Sequence, residues 1–321
     1  MSPKTVILSI CIPTFNPNLE YLRSLIVPIY SVLPVYALEI VVSDDRSVNF
    51  LQIQDMLLLE FPEVNFVSNF GKTGMVENWN NAIQESSGEY FILPGQDDLL
   101  EASELGKLLE FIATSQDDII FVRQSYIDEN SLARRDPRIG PKKAKFETHG
   151  LKRYKKSELL RIILLQGNVV SDPCGAIVRK DVWAELRGFS SQYRHAIDAD
   201  FWIRADLAGK NIVAYKSDFA SKRIHSDFAT KRHIYQGVTS SDRSLLFREY
   251  SGYLQNSTEL EQARYRVYFH WIFDRLRGAM APKPSVPRQQ FQIFAIFYGF
   301  FKYLHSEFSN SLKNGFDERS E

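Results

Sequence analysis

The chain of 321 residues carries 39 Lys+Arg against 39 Asp+Glu, a formal net charge of zero. That balance argues against a nucleic-acid binder, whose affinity rests on a basic excess that neutralises phosphates. With 44% hydrophobic and 24% charged residues, the composition is that of a folded globular protein and excludes a disordered one. Two cysteines, Cys11 and Cys174, are too few for a disulfide framework or a cysteine-rich zinc site, and their apolar neighbours predict buried thiols in a reducing compartment. Met1-Ser2-Pro3-Lys4 leads straight into an apolar run, so no signal peptide is expected. Aromatic residues reach 13%.

Short apolar runs then alternate with helical patterns. Val6–Ile12 reads as a buried strand stopped by Pro13, Leu38–Ser43 as a second ended by Asp44-Asp45, Val64–Val67 as a third and Tyr90–Leu93 as a fourth. Leu19–Leu33, Phe50–Glu60 and Met75–Ser86 have helical length and period, with Pro28 kinking or ending the first. Near-continuous apolar strands separated by helices predict a mostly parallel sheet covered on both faces. In such sheets ligands bind at the carboxyl ends of the strands, which draws attention to the polar residues there.

Residues 131–160 hold ten Lys+Arg and three acids, with Pro137, Gly140 and Pro141 marking a loop that is either simply solvated or attracts an anionic substrate or surface. Beyond it, Ser157–Gln166 reads as helix, Ala176–Val178 as strand, Asp181–Leu186 as a short helix and Asp200–Leu207 as another, with Gly209 as its cap. From about residue 241 the pattern is helical and aromatic.

Three groups of acids carry the chemical argument: Asp44-Asp45 after the second strand, Asp97-Asp98 after the fourth, and Asp198 with Asp200 at a helix start. Acids in such places can be structural, because Asp caps helices and bonds its own turn. Two adjacent acids on one sheet edge are harder to explain so, since their repulsion calls for a cation, and hard oxygen ligands suit Mg²⁺ or Mn²⁺. A cation there would bridge to a diphosphate, which suggests a metal-dependent enzyme acting on a nucleoside diphosphate derivative. Lys72, in Gly71-Lys72-Thr73-Gly74, is a further candidate for the nucleotide, although the spacing is not that of a P-loop.

Over roughly residues 5–235 the chain resembles family 2 glycosyltransferases of the GT-A fold, in blocks that keep the family's order. These are Ser9–Asn16 with its Pro13-Thr14-Phe15-Asn16 ending; Glu39–Ser47 with Asp44-Asp45-Arg46-Ser47, Arg46 standing where Gly is usual; and Asn69-Phe70-Gly71 with Asn80-Asn81-Ala82-Ile83. They continue with Gly95-Gln96-Asp97-Asp98 in the Asp-x-Asp region; Gly175–Phe189, where Arg187 replaces a usual Gly; Asp198–Arg204; and Lys222-Arg223-Ile224-His225-Ser226, similar to an Arg-x-His motif.

The resemblance implies a GT-A, Rossmann-like α/β domain over 1–240, its nucleotide-sugar half in about 1–125 and its acceptor and catalytic half in about 150–240, followed by a helical region over 241–321. It implies that Asp45 recognises the nucleobase with support from Asp44, and that Pro13, Thr14 and Phe15 line the nucleotide cleft with Lys72, Asn80, Asp97 and Arg223. Asp98 would bind the divalent metal directly, Asp97 would contact it or its water, and His225 would complete the metal or diphosphate site. Asp198 would be the base of an inverting reaction, taking the proton of an acceptor hydroxyl as that oxygen attacks the anomeric carbon. The family often has Glu just before this base; here it is Ile197, so a helper that orients Asp198 is either missing or comes from elsewhere. The donor expected is a nucleoside-diphosphate sugar, foremost a UDP-sugar, and the acceptor a glycan or lipid-linked saccharide of cell-surface polysaccharide synthesis. The other readings are a catalytically silent sugar-nucleotide-binding protein and a nucleotidyltransferase, though the latter needs a triphosphate loop that Thr14–Asn18 does not provide.

Between residues 245 and 305 lie 15 aromatics in 61 positions. The most apolar run, Phe291–Leu304, is shorter than the ~20 apolar residues a bilayer crossing takes. It suits either an interfacial helix, placing the protein peripherally on the inner face of the cytoplasmic membrane, or a packing surface for this chain or a second copy in the cytoplasm.

Overall fold

The structure, a computed structural model, describes residues 6–133, 151–224 and 236–280, with side chains to Ile272. The chain divides into two compact units, Met1–Tyr193 with Ile197–Ser226, and Arg194–Ala196 with Asp227–Glu321.

The first unit is built on one sheet. In chain order its elements are β1 (Leu8–Thr14), α1 (Leu19–Tyr30), β2 (Leu38–Asp44), α2 (Phe50–Glu60), β3 (Asn65–Ser68), α3 (Met75–Gln84), β4 (Tyr90–Ile92), β5 (Leu99–Leu100), α4 (Ala102–Thr114) and β6 (Ile119–Ile127). They continue with β7 (Lys152–Arg153), α5 (Glu158–Gln166), a 3-10 turn (Pro173–Gly175), β8 (Ala176–Arg179), α6 (Lys180–Glu185), α7 (Ile197–Leu207) and β9 (Ile212–Arg223). The strand order is β3-β2-β1-β4-β8-β6-β9-β5, with β7 on β9. The β3-β2-β1-β4 half is parallel throughout, whereas β8 runs antiparallel to both β4 and β6. The sheet is therefore mixed: the half that the first four apolar runs build is wholly parallel, and in the other half β6 and β9 are parallel while β8, β5 and β7 run antiparallel to their neighbours.

Alternation along β1 explains the two covered faces. Leu8, Ile10 and Ile12 join a core with Leu22, Leu25 and Ile26 of α1, Ile53 and Met56 of α2, and Leu105 and Leu108 of α4. From β6, Phe121 packs edge-on against Trp202 of α7, their centroids 5.1 Å apart. Asn18 caps α1 through bonds from the Glu20 and Tyr21 amides, as a short polar side chain does at this position. Pro13 does not stop β1, because it remains in register with Ser43 and a parallel strand tolerates one missing donor at its end. Pro28 lies inside α1 only two residues before its end. Asp206 of α7 accepts the amides of Ser157 and Leu160 (2.8 and 2.9 Å), so α7 caps the start of α5. Burial holds the carboxyl of Asp206 above its ordinary pKa.

The second unit holds α8 (Val238–Tyr250) and α9 (Ser257–Met280). Within it the buried Asp242 of α8 accepts three successive amides on one oxygen, those of Arg194 (2.9 Å), His195 (2.6 Å) and Ala196 (3.0 Å). Tyr268 and Trp271 stack on α9 and are 62% and 45% exposed. Among the described residues no helix is long and apolar enough to cross a membrane; the run Phe291–Leu304 lies outside them.

Candidate active site

β2 and β4 flank β1 and run parallel to it, so the carboxyl ends of the three strands lie at one edge. Thr14 and Asp44 are paired there. The carboxylate of Asp44 is fully buried and accepts Thr14 Oγ1 (3.0 Å), the Ser47 amide (2.8 Å) and Ser47 Oγ (2.5 Å). Asp45 reaches the other way, accepting Asn69 Nδ2 (2.9 Å) and the Gly74 amide (2.8 Å). These bonds fix the 69–74 loop, on which Lys72 is exposed. Arg46 has φ 61° and Arg187 also has φ 61°, which explains why glycine is usual at both positions. Arg46 offsets that backbone cost with bonds to the carbonyls of Phe70 (2.9 Å) and Gly71 (3.0 Å).

Asn78 of α3, which no motif singled out, ties the strand ends together through Nδ2 bonds to the carbonyls of Thr14 (3.1 Å) and Ser43 (3.0 Å). Asn80 does not join it. Its amide holds the 183–189 segment instead, bonding both the amide and the carbonyl of Phe189 at 2.9 Å and taking the Trp183 indole at 3.2 Å. The Asn-x-Asn-Asn spacing signalled a polar helix face but not which of its amides meets the strand ends.

The loop after β4 is clasped to Phe15 at both ends of an amide. Gln96 Oε1 accepts the Phe15 amide (2.8 Å) and Gln96 Nε2 donates to the Phe15 carbonyl (3.2 Å), so Pro13–Phe15 and Asp97 share one region. Phe15 itself is 58% exposed. Asp98 is buried and accepts the Gly95 amide (2.8 Å), the Arg223 amide (3.1 Å) and the Cys174 thiol. Burial, and then the charge of Asp97, push its carboxyl up from 3.8 to about 6. Lys222 is bound to Asp172; burial opposes its charge, yet Asp172 and then Asp98 hold it protonated.

Arg223 is a buried brace. Its Nε donates to the Asp97 carbonyl (2.8 Å), its Nη1 to the Asp128 carbonyl (2.8 Å), and its guanidinium lies 4.3 Å from the centre of the Tyr21 ring. Its Nη2 is buried without a hydrogen-bond partner. His225 lies outside the described residues.

A divalent cation fits the chemistry of this loop. A Cβ at Gly95 would lie 3.0 Å from both Asp97 Oδ1 and Asp98 Oδ2, so a small space there is bounded by two carboxylate oxygens. A third acid at 95, as in the strict motif, would crowd that space and add to the repulsion that already raises Asp98. Among the described residues no cluster of three His, Cys, Asp or Glu side chains stands ready for a metal, so a cation held here would take its other ligands from substrate and water.

Asp198 opens α7. Its Oδ1 accepts the amide of Ala199 (2.8 Å) and its Oδ2 accepts Nδ2 of Asn168 (2.6 Å). Asp200 is buried in an ion pair with Arg204 (2.8 Å), which also grips the carbonyls of Leu186 (2.5 Å) and Gly188 (2.9 Å). Asp200 thus holds the fold of this segment, while Asp198 is only partly covered.

Acids gathered at the carboxyl edge of a parallel half-sheet, with a further carboxylate at the head of a buried helix, define a transferase of the GT-A fold. Residues 9–186 match the family described as glycosyl transferase family 2, more than half of the chain, and the protein belongs to that family: it is a glycosyltransferase. Solved structures of S. aureus TarS residues 1–349 are similar. The complex with UDP-GlcNAc gives a TM-score of 0.58 at 18% identity, covering 89% of this chain and 78% of that one. The complex with UDP gives 0.57 at 16% identity, over 89% and 77%. At such identities the likeness shows the fold. No curated protein matches the sequence at a significant level.

Proposed function

We propose that this glycosyltransferase moves a sugar from a nucleoside-diphosphate donor to a hydroxyl of a glycan or lipid-linked saccharide, inverting the anomeric centre, in cell-surface polysaccharide synthesis. The observation that carries the reading is Asp198, a partly covered carboxylate anchored at the head of α7 in a chain of this family. Asp198 takes the acceptor proton while the acceptor oxygen attacks the anomeric carbon and the nucleoside diphosphate departs from the opposite face. The Asp45-braced loop and Pro13–Phe15 hold the nucleotide. TarS was solved with UDP-GlcNAc and with UDP, which makes uridine nucleotides the first donors to test.

Mn²⁺ or Mg²⁺ would be held by Asp97 and Asp98. When bound it supplies positive charge for the leaving diphosphate. Of the two acids, Asp98 is the buried one and accepts two amides, from its own loop and from β9, while Asp97 is only partly covered.

The test is turnover of a panel of UDP- and GDP-sugars with Mn²⁺ or Mg²⁺, with and without saccharide acceptors, for wild type and Asp198→Asn. The reading expects Asp198→Asn to lower kcat by about 10²–10⁴-fold while nucleotide still binds. Turnover by the variant at the wild-type rate would remove Asp198 from the chemistry. No turnover of any donor by the wild type would leave a sugar-nucleotide-binding protein.

A further inference from the structure

Ile197 stands where an acid beside the base is usual, so no second carboxylate directly precedes Asp198 in the chain. We infer that Asn168, thirty positions earlier, is the positioning residue of that base. This rests on the reading of Asp198 given above.

Asn168 lies between α5 and the 3-10 turn, just after Gly167, which ends α5 at φ 88°. Its Nδ2 donates one hydrogen to Asp198 Oδ2 (2.6 Å) and the other to the Ser171 carbonyl (2.9 Å). Its Oδ1 accepts the Val170 amide at 3.4 Å. A flipped amide would set Oδ1 against a carboxylate and a carbonyl at once, so one orientation is enforced. The Ser171 carbonyl also accepts Nε1 of Trp202 (3.2 Å), whose side chain is fully buried. Asp198 and Trp202 are four residues apart and lie on the same face of α7. Asn168 and Ser171 therefore meet the same helix at two successive turns, and the ring closes as Asn168–Asp198–α7–Trp202–Ser171–Asn168.

A ring closed at both ends fixes the position of the carboxylate as well as its tilt. Two neutral donors meet the carboxylate, Asn168 Nδ2 on Oδ2 and the Ala199 amide on Oδ1. A cationic partner in the same place would hold the carboxylate more strongly but would favour its ionised form more and blunt it as a base.

The experiment compares wild type, Asn168→Ala, Asn168→Asp and Trp202→Phe by kcat and donor KM, using UDP-GlcNAc with Mn²⁺ first and then the other members of the donor panel, with melting temperature as a fold control. Asn168→Asp is isosteric but replaces the donor with an acceptor. The expected result is a kcat lower by about 10²-fold for Asn168→Asp, since a misplacement of about 1 Å at the reacting groups has that effect. Asn168→Ala should lose less, Trp202→Phe least, and KM for the donor should stay within about twofold in all three. If Asn168→Asp does not fold, Asn168→Ala carries the test. Unchanged kcat in the Asn168 variants beside an inactive Asp198→Asn would overturn the inference and leave the base in place. An active Asp198→Asn, or no turnover of the panel by wild type, would overturn the reading and the inference together. A fall in melting temperature with KM and kcat altered in parallel would reduce Asn168 to a structural role.

Discussion

Two acidic pairs follow the two strands that flank β1, and their surroundings differ in kind. Asp44 and Asp45 meet neutral donors, from Thr14, Ser47, Asn69 and Gly74, which turn the pair into the framework of the adjoining loops. Asp97 and Asp98 repel each other in a buried setting, and the nearby cation, Lys222, is already bound to Asp172. The same dipeptide is thus a scaffold after β2 and a site of mutual repulsion after β4. Mutual repulsion between two carboxylates is what a cation would relieve.

The largest expected contrast is between the pairs themselves. Asp97→Asn should lower the gain in UDP affinity that Mn²⁺ brings by about 10–100-fold, whereas Asp45→Asn should weaken UDP binding equally with and without metal. Calorimetric titration with UDP, with Mn²⁺ and with chelator, separates the two; a metal effect that disappears in Asp45→Asn instead would merge the pairs. Asp44→Ala should act on stability, because it strands the buried donors of Thr14 and Ser47, at a cost of about 1–3 kcal/mol in denaturant unfolding. A smaller signal lies in pH. The folded carboxyl of Asp98 binds its proton more tightly than the unfolded one, so its contribution to stability is complete below about 3.8 and gone above about 6. In chelator, wild type should therefore lose stability relative to Asp98→Asn as pH rises through that window, and parallel curves would show that the second pair is no more strained than the first. Smallest is Gly95→Ala, whose Cβ meets both carboxylates at 3.0 Å and should reduce Mn²⁺ affinity several-fold without changing UDP binding in chelator.

Much of the parallel half-sheet was legible because β1, β2 and β4 are short apolar runs buried on both faces and closed by polar turns, with β3 a more exposed run at the edge. The sequence reading passed over Ala102–Thr114 and Ile119–Ile127, although Leu105, Leu108, Leu109 and Ile112 of α4 do carry the helical repeat. The antiparallel course of β8 was not legible at all, since an apolar run has no direction. At the site, Asp44, Asp45, Asp97, Asp98 and Asp198 stood out as charges at strand and helix ends. Their partners did not. Asn78, Gln96 and Asn168 are neutral amides that matter only through bonds to residues 30–81 positions away, a relation no local spacing encodes.

Asp242 has a consequence for how this protein can be divided. The chain gives three residues, Arg194–Ala196, to the helical unit and returns to the first unit at Ile197, and inside the helical unit those three amides share one acceptor from a later part of the sequence. A truncation that ends with β9 would look conservative on a sequence map, yet it would remove the acceptor of the Arg194, His195 and Ala196 amides. The helical unit is in this sense discontinuous in sequence: it takes three residues from the middle of the chain, and they meet their acceptor only after the ribosome has passed residue 242.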